Sequence, residues 1–540
     1  MISLLSAFLR GDWVERVLVL SAVLALTAFI MLLGFGPERF HLSAPKPVQP
    51  LVGFVRRYPW RTLVVVFFLT TITLLALNLA SSSPGRPSER ITFVVSLDDT
   101  ELIVFRDILD DLEPELGAQV FLMNIDPSRL VPRLNSMVAS GYSRGDSDDD
   151  SNEDNGDDNN PMKWDLVAVD NNILGLLAAK GLVEELSEIT EPEDVVPEPL
   201  LPSIRPLLEF EDRFYFAPFR GNVKIAYYNE RKFAQYGLEP PRTWEELLEV
   251  ARVFKEKEGV GRVAIQGHPG PPTSVTAFEF VAAAGGDPLT LDDEGSRKAF
   301  QFLKDSEPDL ALQYIDTRFD TANELLIDDE VYLVDNWTFG IKVVIEDAGK
   351  GEIKVYSGWK GPDGERHVLG GDLLAVPKGA PHPDKAIKLI QLLQTSETQR
   401  AFLTELRWLP VRLDVLTNVP DDLKPHFSAI NNALALSEAR PIEPQWPIIE
   451  DCLDRAFGAV IREGGDIDLL EEYSSILKEI PQFIRYVVQD GDTFRTIAAR
   501  HRTTQAVLAE TNRTTIRAPL ATGEILIVLP GLTKTCSDVS

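Results

Sequence analysis

Cysteine is scarce: Cys452 and Cys536 are the only two in 540 residues, and they stand far apart. Two cysteines do not make a disulfide scaffold; they can pair, but nothing in the sequence requires it. The six histidines are scattered without ligand spacing, and H-E-x-x-H and C-x-x-C are absent, so neither a metal site nor a cofactor is expected. G-x-x-x-x-G-K-S/T is missing too, so the chain is not itself an ATPase. Bases are outnumbered, 53 Lys and Arg against 83 Asp and Glu, for a net charge of −30. That argues against nucleic acid or anionic lipid as a partner through a basic face.

Two apparent enzyme or metal motifs fail on context. GYSRG, Gly141 to Gly145, has the G-x-S-x-G form, but that elbow needs a strand before the serine and a helix after it. Here a helical pattern precedes it and a polyacidic stretch follows. The acidic stretch Gly145 to Asn160 holds eight acids and no base. An EF-hand loop centred on Gly156 needs an acid where Ser151 stands and a Glu where Met162 stands. No acid/base pair stands out, and the chain is not expected to be an enzyme.

What is present is ordinary in bulk, 44 % hydrophobic and 25 % charged residues, with a length that suggests more than one domain. Two uncharged apolar runs, 17–36 and 62–80, are each long enough to cross a bilayer as a helix. The segment between them, 37–61, carries Arg39, Lys46, Arg56, Arg57 and Arg61, which places it in the cytoplasm. This reading makes a two-pass protein of the cell membrane, with an N-terminal tail 1–16, a tether 81–90 and the bulk of the chain extracytoplasmic. From Ile91 onward, short strand-type runs alternate with helical periodicity. ITFVVS is followed by DTELIVFRDILDDLEPEL, whose Leu102, Phe105, Leu109 and Leu112 share a side; AQVFLMNI and KWDLVAVD follow as strands. Such alternation predicts an α/β fold with a mainly parallel sheet. The acid-rich insert, 144–160, then falls in a surface loop.

Several segments in order carry a family resemblance. They are KWDLVAVDNNILGLLAAKGLVEEL, FYFAPFRGNVKIAYYNERKFAQYGLEPPRTWEELLEVARVFK, FEFVAAAGGDPL, VYLVDNWTFG, LGGDLLAVPKGAPHPDKAIKLIQLLQTSETQRAF and WLPVRLDVL. Together they resemble the extracellular solute-binding proteins of ABC importers, in the carbohydrate-binding, maltose-type branch. The resemblance implies a two-lobed Venus-flytrap domain over 91–485, closing on a small solute such as a sugar, with permease and ATPase subunits as partners. By position it implies a ligand site at Trp337 and Asn336, Trp446, Phe219 and Arg220, and Gly371 and Asp372. Aromatic rings offer flat faces to sugar C–H surfaces, and charged or amide groups bond the hydroxyls. Trp244 is assigned a structural place instead, opening a helix capped by Thr243. The segment IQGHPGPPTSV is Pro/Gly-rich where the family carries a ligand-facing group.

The tail YVVQDGDTFRTIAARHRTTQAVLAETN, continued to Pro530, resembles a LysM domain over 486–530, leaving 531–540 as a terminal tail. A βααβ unit follows from its pattern. The resemblance implies a grip on N-acetylglucosamine glycans, above all peptidoglycan, through Asp490, Gly491, Asp492, Thr493 and Asn512. The whole is read as a membrane-anchored solute-binding protein with a wall-binding module. The alternative is a wall-attachment or sensing protein that feeds no permease.

Overall fold

The computed structural model describes residues 89–141, 163–421 and 423–539. The apolar runs at 17–36 and 62–80, their connector, and the acidic insert at 144–160 lie outside those residues. The expected multi-pass membrane localisation is corrected here: among the described residues no helix is long and apolar enough to cross a membrane. The longest, α1 (Asp99–Leu116), is amphipathic: its buried Phe105 and Leu109 face a sheet, while Asp107, Asp110 and Asp111 are exposed.

The strands are β1 (Arg90–Val95), β2 (Gln119–Asn124), β3 (Leu166–Asp170), β4 (Ala217–Asn229), β5 (Val263–Ala264), β6 (Leu333–Trp337), β7 (Ile353–Tyr356), β8 (His367–Ala375) and β9 (Ser437–Ala439). They run in the order β2-β1-β3-β8-β4-β6-β5, with β9 on β8 and β7 on β4. β1 pairs in parallel with both β2 and β3. β4 is the pivotal strand. Its first half, from Ala217 to Val223, pairs antiparallel with β8, which also pairs with β3. Its second half, from Lys224 to Asn229, pairs with β6 and β7 instead. One strand therefore leaves one sheet and enters another, and the two sheets are the cores of two lobes.

Helices complete each lobe. α1 and α5 (Pro383–Leu393) pack together on the first. The second carries α2 (Trp244–Glu258), α3 (Pro271–Ala283), α4 (Glu294–Ser306) and α6 (Trp446–Phe457). Local chemistry sets the ends: Asp98 and Glu101 form a capping box for α1, Thr243 caps α2 through the Glu246 amide, and Pro271 occupies the first turn of α3.

The last part is the βααβ unit: β10 (Ile484–Val487), α7 (Phe494–His501), α8 (Gln505–Thr511) and β11 (Ile525–Val528), with the two strands antiparallel. Val488, Phe494, Ile497, Leu508 and Leu526 form its own small core. Val507, Ile527 and Leu529 belong to the large core of the bilobed body, so residues 89–540 make one compact unit. The terminal segment is part of it: Leu532 is buried, and Cys536 pairs with Cys452 of α6 in a disulfide.

Candidate functional site

Where β4 passes between the lobes, polar side chains alternate along one face. Arg220, Asn222 and Lys224 stand at i, i+2 and i+4. Arg220 donates from Nε to Asp372 Oδ2 of β8 at 2.6 Å and from Nη1 to Glu101 Oε1 at 3.2 Å. Its guanidinium lies 4.3 Å over the Trp408 ring, and Trp408 Nε1 donates to the same Glu101 oxygen at 2.6 Å. The four groups interlock, yet Arg220 and Asp372 keep 17 % and 18 % of their side chains exposed. Burial disfavours the Arg220 charge, but Asp372 and Glu101 outweigh it and raise its pKa. Burial raises the Asp372 carboxyl above its ordinary value; Arg220 opposes this and Asp170 adds to it. Gly371 serves through its backbone. It lies at φ +116°, and a Cβ there would come within 2.3 Å of the Arg220 carbonyl oxygen.

Four residues further along β4 the surroundings change. Trp337 ends β6 opposite Lys224, is partly exposed, and rests on Gly370, where a Cβ would lie 2.6 Å from its ring. Its carbonyl accepts from the Tyr227 hydroxyl at 2.7 Å. Lys224 is sealed beneath. It pairs with Asp335 and, at 3.2 Å, with Glu279. His367 continues the chain of charges, 3.5 Å from Glu279 and 3.0 Å from Glu365. Burial opposes protonation of His367, but the two glutamates prevail and raise its pKa to about 9.

The structure separates the sequence-predicted residues. Arg220, Gly371 and Asp372 come together on the crossover strands, with Trp337 nearby. Three others are corrected to core positions. Phe219 is fully buried among Phe93, Phe105, Phe402 and Trp408. Asn336 is fully buried, donating to Phe319 O and Asn323 Oδ1 and accepting from Gln266 Nε2. Trp446 is 1 % exposed, edge-on to Phe278 at 6.1 Å, because it opens α6 where that helix meets α3. Glu101, Trp408 and Lys224 were not singled out from the sequence. The period-2 run of polar residues in FRGNVK was the available signal for Lys224; Glu101 and Trp408 reach Arg220 only through the tertiary fold.

In the βααβ unit, Asp490, Gly491 and Thr493 are exposed in the loop after β10, facing outward with Ile516 and Arg517 of the loop before β11. Thr493 also caps α7 through the Thr496 amide at 3.1 Å. Asp492 works inward, accepting from the Tyr486 hydroxyl and the Gln489 amide, contacts that hold its carboxyl below the ordinary range. Asn512 is corrected to a core position: it is fully buried, accepts from Ile527 N, and donates to the Leu508 and Ile527 carbonyls.

With this geometry in hand, comparison places the chain. The sequence pattern of the bacterial extracellular solute-binding proteins matches residues 142–429. The chain belongs to that family. A LysM domain matches residues 486–528. Among similar sequences, an uncharacterised ABC transporter extracellular-binding protein of Pyrococcus horikoshii is 27 % identical over 239 residues, 42 % of this chain and 53 % of that protein. A mannitol-binding protein of Pseudomonas aeruginosa is 32 % identical over 127 residues, 23 % of this chain and 29 % of that one. The matched stretches thus span about half of the first relative and under a third of the second. Solved structures agree on the fold. Maltose-bound MalE3 of T. maritima superposes with a TM-score of 0.60 at 20 % identity, covering 72 % of this chain and 99 % of that one. A ribitol complex from Agrobacterium radiobacter gives 0.59 at 17 %, covering 73 % and 100 %. The two-lobed solute-binding fold is therefore that of this family member.

Proposed function

We propose that this family member captures a sugar or polyol between its lobes and delivers it to the permease and ATPase subunits of an ABC importer. Its LysM module contacts peptidoglycan or another N-acetylglucosamine glycan. One observation supports the capture reading above the rest: a polar cluster that keeps a small part of its surface open, Arg220 with Asp372 and Glu101, stands beside the partly exposed Trp337 on the strand paired with β4. The Trp337 ring rests on Gly370, two residues from Asp372 along β8 and so about 7 Å away, a length a monosaccharide can bridge. Trp337 offers an apolar face, and the cluster offers donors and acceptors for hydroxyls. The mannitol-, maltose- and ribitol-binding relatives make sugars and polyols the first class to try. Hinge closure about β4 and β8 then turns occupancy into a shape that a partner reads.

Thermal-shift measurement of the purified protein against sugars, polyols, amino acids and muropeptides tests this. A solute at a hundred times its Kd stabilises the native state by about 2.7 kcal/mol. A sugar or polyol that raises Tm in the wild type and not in Trp337→Ala is the expected result. A response to muropeptides alone, unchanged in that variant, overturns the capture reading and leaves wall attachment.

A further inference from the structure

The LysM module touches both lobes, by different means. Toward the second lobe it is held covalently twice: the chain enters β10 from the helix Leu470–Glu479, which packs on α6, and the Cys452–Cys536 disulfide closes the other end. α6 itself is fixed to that lobe. Trp446 meets Phe278 of α3, Thr273 of α3 donates to Asp454, and Arg462 just beyond donates to the Gly267 carbonyl at 3.1 Å. Arg513 of the module pairs with Glu450 of α6 at 2.7 Å, and Glu510 lies beside Asp451.

Toward the first lobe the hold is non-covalent, with a buried lysine in it and an exposed ion pair beside it. Lys180 follows the short helix Leu174–Ala179 that leaves β3, and its side chain is 0 % exposed. Its Nζ donates to Asn512 Oδ1 at 3.1 Å and lies 3.5 Å from Glu524 Oε1. Arg485 of β10 donates to the Ala179 carbonyl at 3.0 Å and pairs with Glu211 at 2.6 Å. Asn512 and Glu524 bound the loop that faces outward with Asp490, so the lysine that meets the module also fixes that loop.

We propose that the LysM module is a strap across the junction of the lobes. Because the disulfide commits the module to the second lobe, separation of the lobes at this face takes Lys180 away from Asn512 and Glu524, along with Asn172 from Glu450 of α6. Separation gives up the Lys180 hydrogen bond and ion pair and uncovers the contact beside them, where Gly181 lies against Ile525, which favours one relative orientation of the lobes. The inference rests on the hinge reading above, but its readout needs no solute.

The test is the distance between spin labels at exposed Asp111 of α1 and Glu256 of α2, carried on ketone-bearing unnatural residues so that the native cysteines stay untouched. It is made by pulsed electron resonance on the full chain. The wild type is expected to give one narrow distribution. Lys180→Glu, which sets a carboxylate against Glu524, and separately Cys452→Ala with Cys536→Ala, are expected to broaden it toward longer distances. Hydrogen exchange over 505–528 in the same samples reports whether the module has undocked. A broad wild-type distribution overturns the strap. So does an unchanged distance in variants whose module has undocked. Neither result bears on the capture reading, which stands or falls on the Trp337-dependent thermal shift.

Discussion

The two halves of β4 carry the same kind of chemistry and meet opposite fates. In the first half, Arg220 is flanked by two carboxylates and an aromatic ring and still reaches the surface. In the second, Lys224 is flanked by two carboxylates and is sealed, 1 % exposed. Both neutralise acids brought from other elements. Only the first can exchange a protein partner for a ligand hydroxyl at little cost, because its groups are already partly hydrated. The sealed cluster contributes to holding the lobe rather than to recognition, since breaking it strands charges in a low-dielectric interior.

The comparison breaks most visibly at Lys224. Lys224→Met leaves Asp335 and Glu279 without their cation and is expected to destabilise the fold by about 3–5 kcal/mol in urea titration. Arg220→Met, with solvent beside it, is expected to cost clearly less; equal losses would erase the distinction between the halves. Next comes Trp337→Ala. Loss of one aromatic face is expected to weaken solute binding by about 2 kcal/mol, roughly thirtyfold in Kd by isothermal titration, with Tm of the free protein little changed.

Protonation sharpens the contrast further. His367 is raised from 6.5 to about 9, so its contribution to stability is complete below pH 6.5 and is lost as pH rises through 9. Glu510 is raised by burial, and then by Asp451, from 4.5 to about 8. A carboxyl shifted upward acts in the same direction: the folded state holds a proton the unfolded chain has released, and stability falls between pH 4.5 and 8. Lys180 runs the other way. Burial, partly offset by Glu524, lowers it from 10.5 to about 8, so its titration favours the native state from pH 8 upward. Tm is therefore expected to fall between pH 6.5 and 8, and His367→Gln to flatten that slope. The smallest effect is expected from Asp490→Ala in the exposed loop of the LysM module: unchanged Tm, with reduced retention on insoluble peptidoglycan. A fall in Tm instead would place Asp490 in the packing of the module, not on its glycan face.

Much of the fold was legible because it is written in local periodicity. The 3.6-residue spacing of Phe105, Leu109 and Leu112 and the apolar run ITFVVS are properties of neighbouring residues, and the burial of Phe105, Leu109, Ile91, Phe93, Val94 and Val95 follows them. The βααβ tail was legible for the same reason. The site was legible only in part. Arg220 and Asp372 stand on strands whose order the sequence displayed. Trp446 and Asn336 looked no different from Trp337, and only packing against Phe278 and Gln266 showed that they are core.

The sequence by itself determined the element types, their order, and the presence of a second small unit, because hydrophobic period and capping act within a few residues. Tertiary structure alone decided which tryptophan stays half open, which of two paired cations is sealed, and that Cys452 meets Cys536 across 84 residues. Those outcomes depend on contacts between segments tens to hundreds of residues apart, such as Lys180 with Asn512, which no local pattern records.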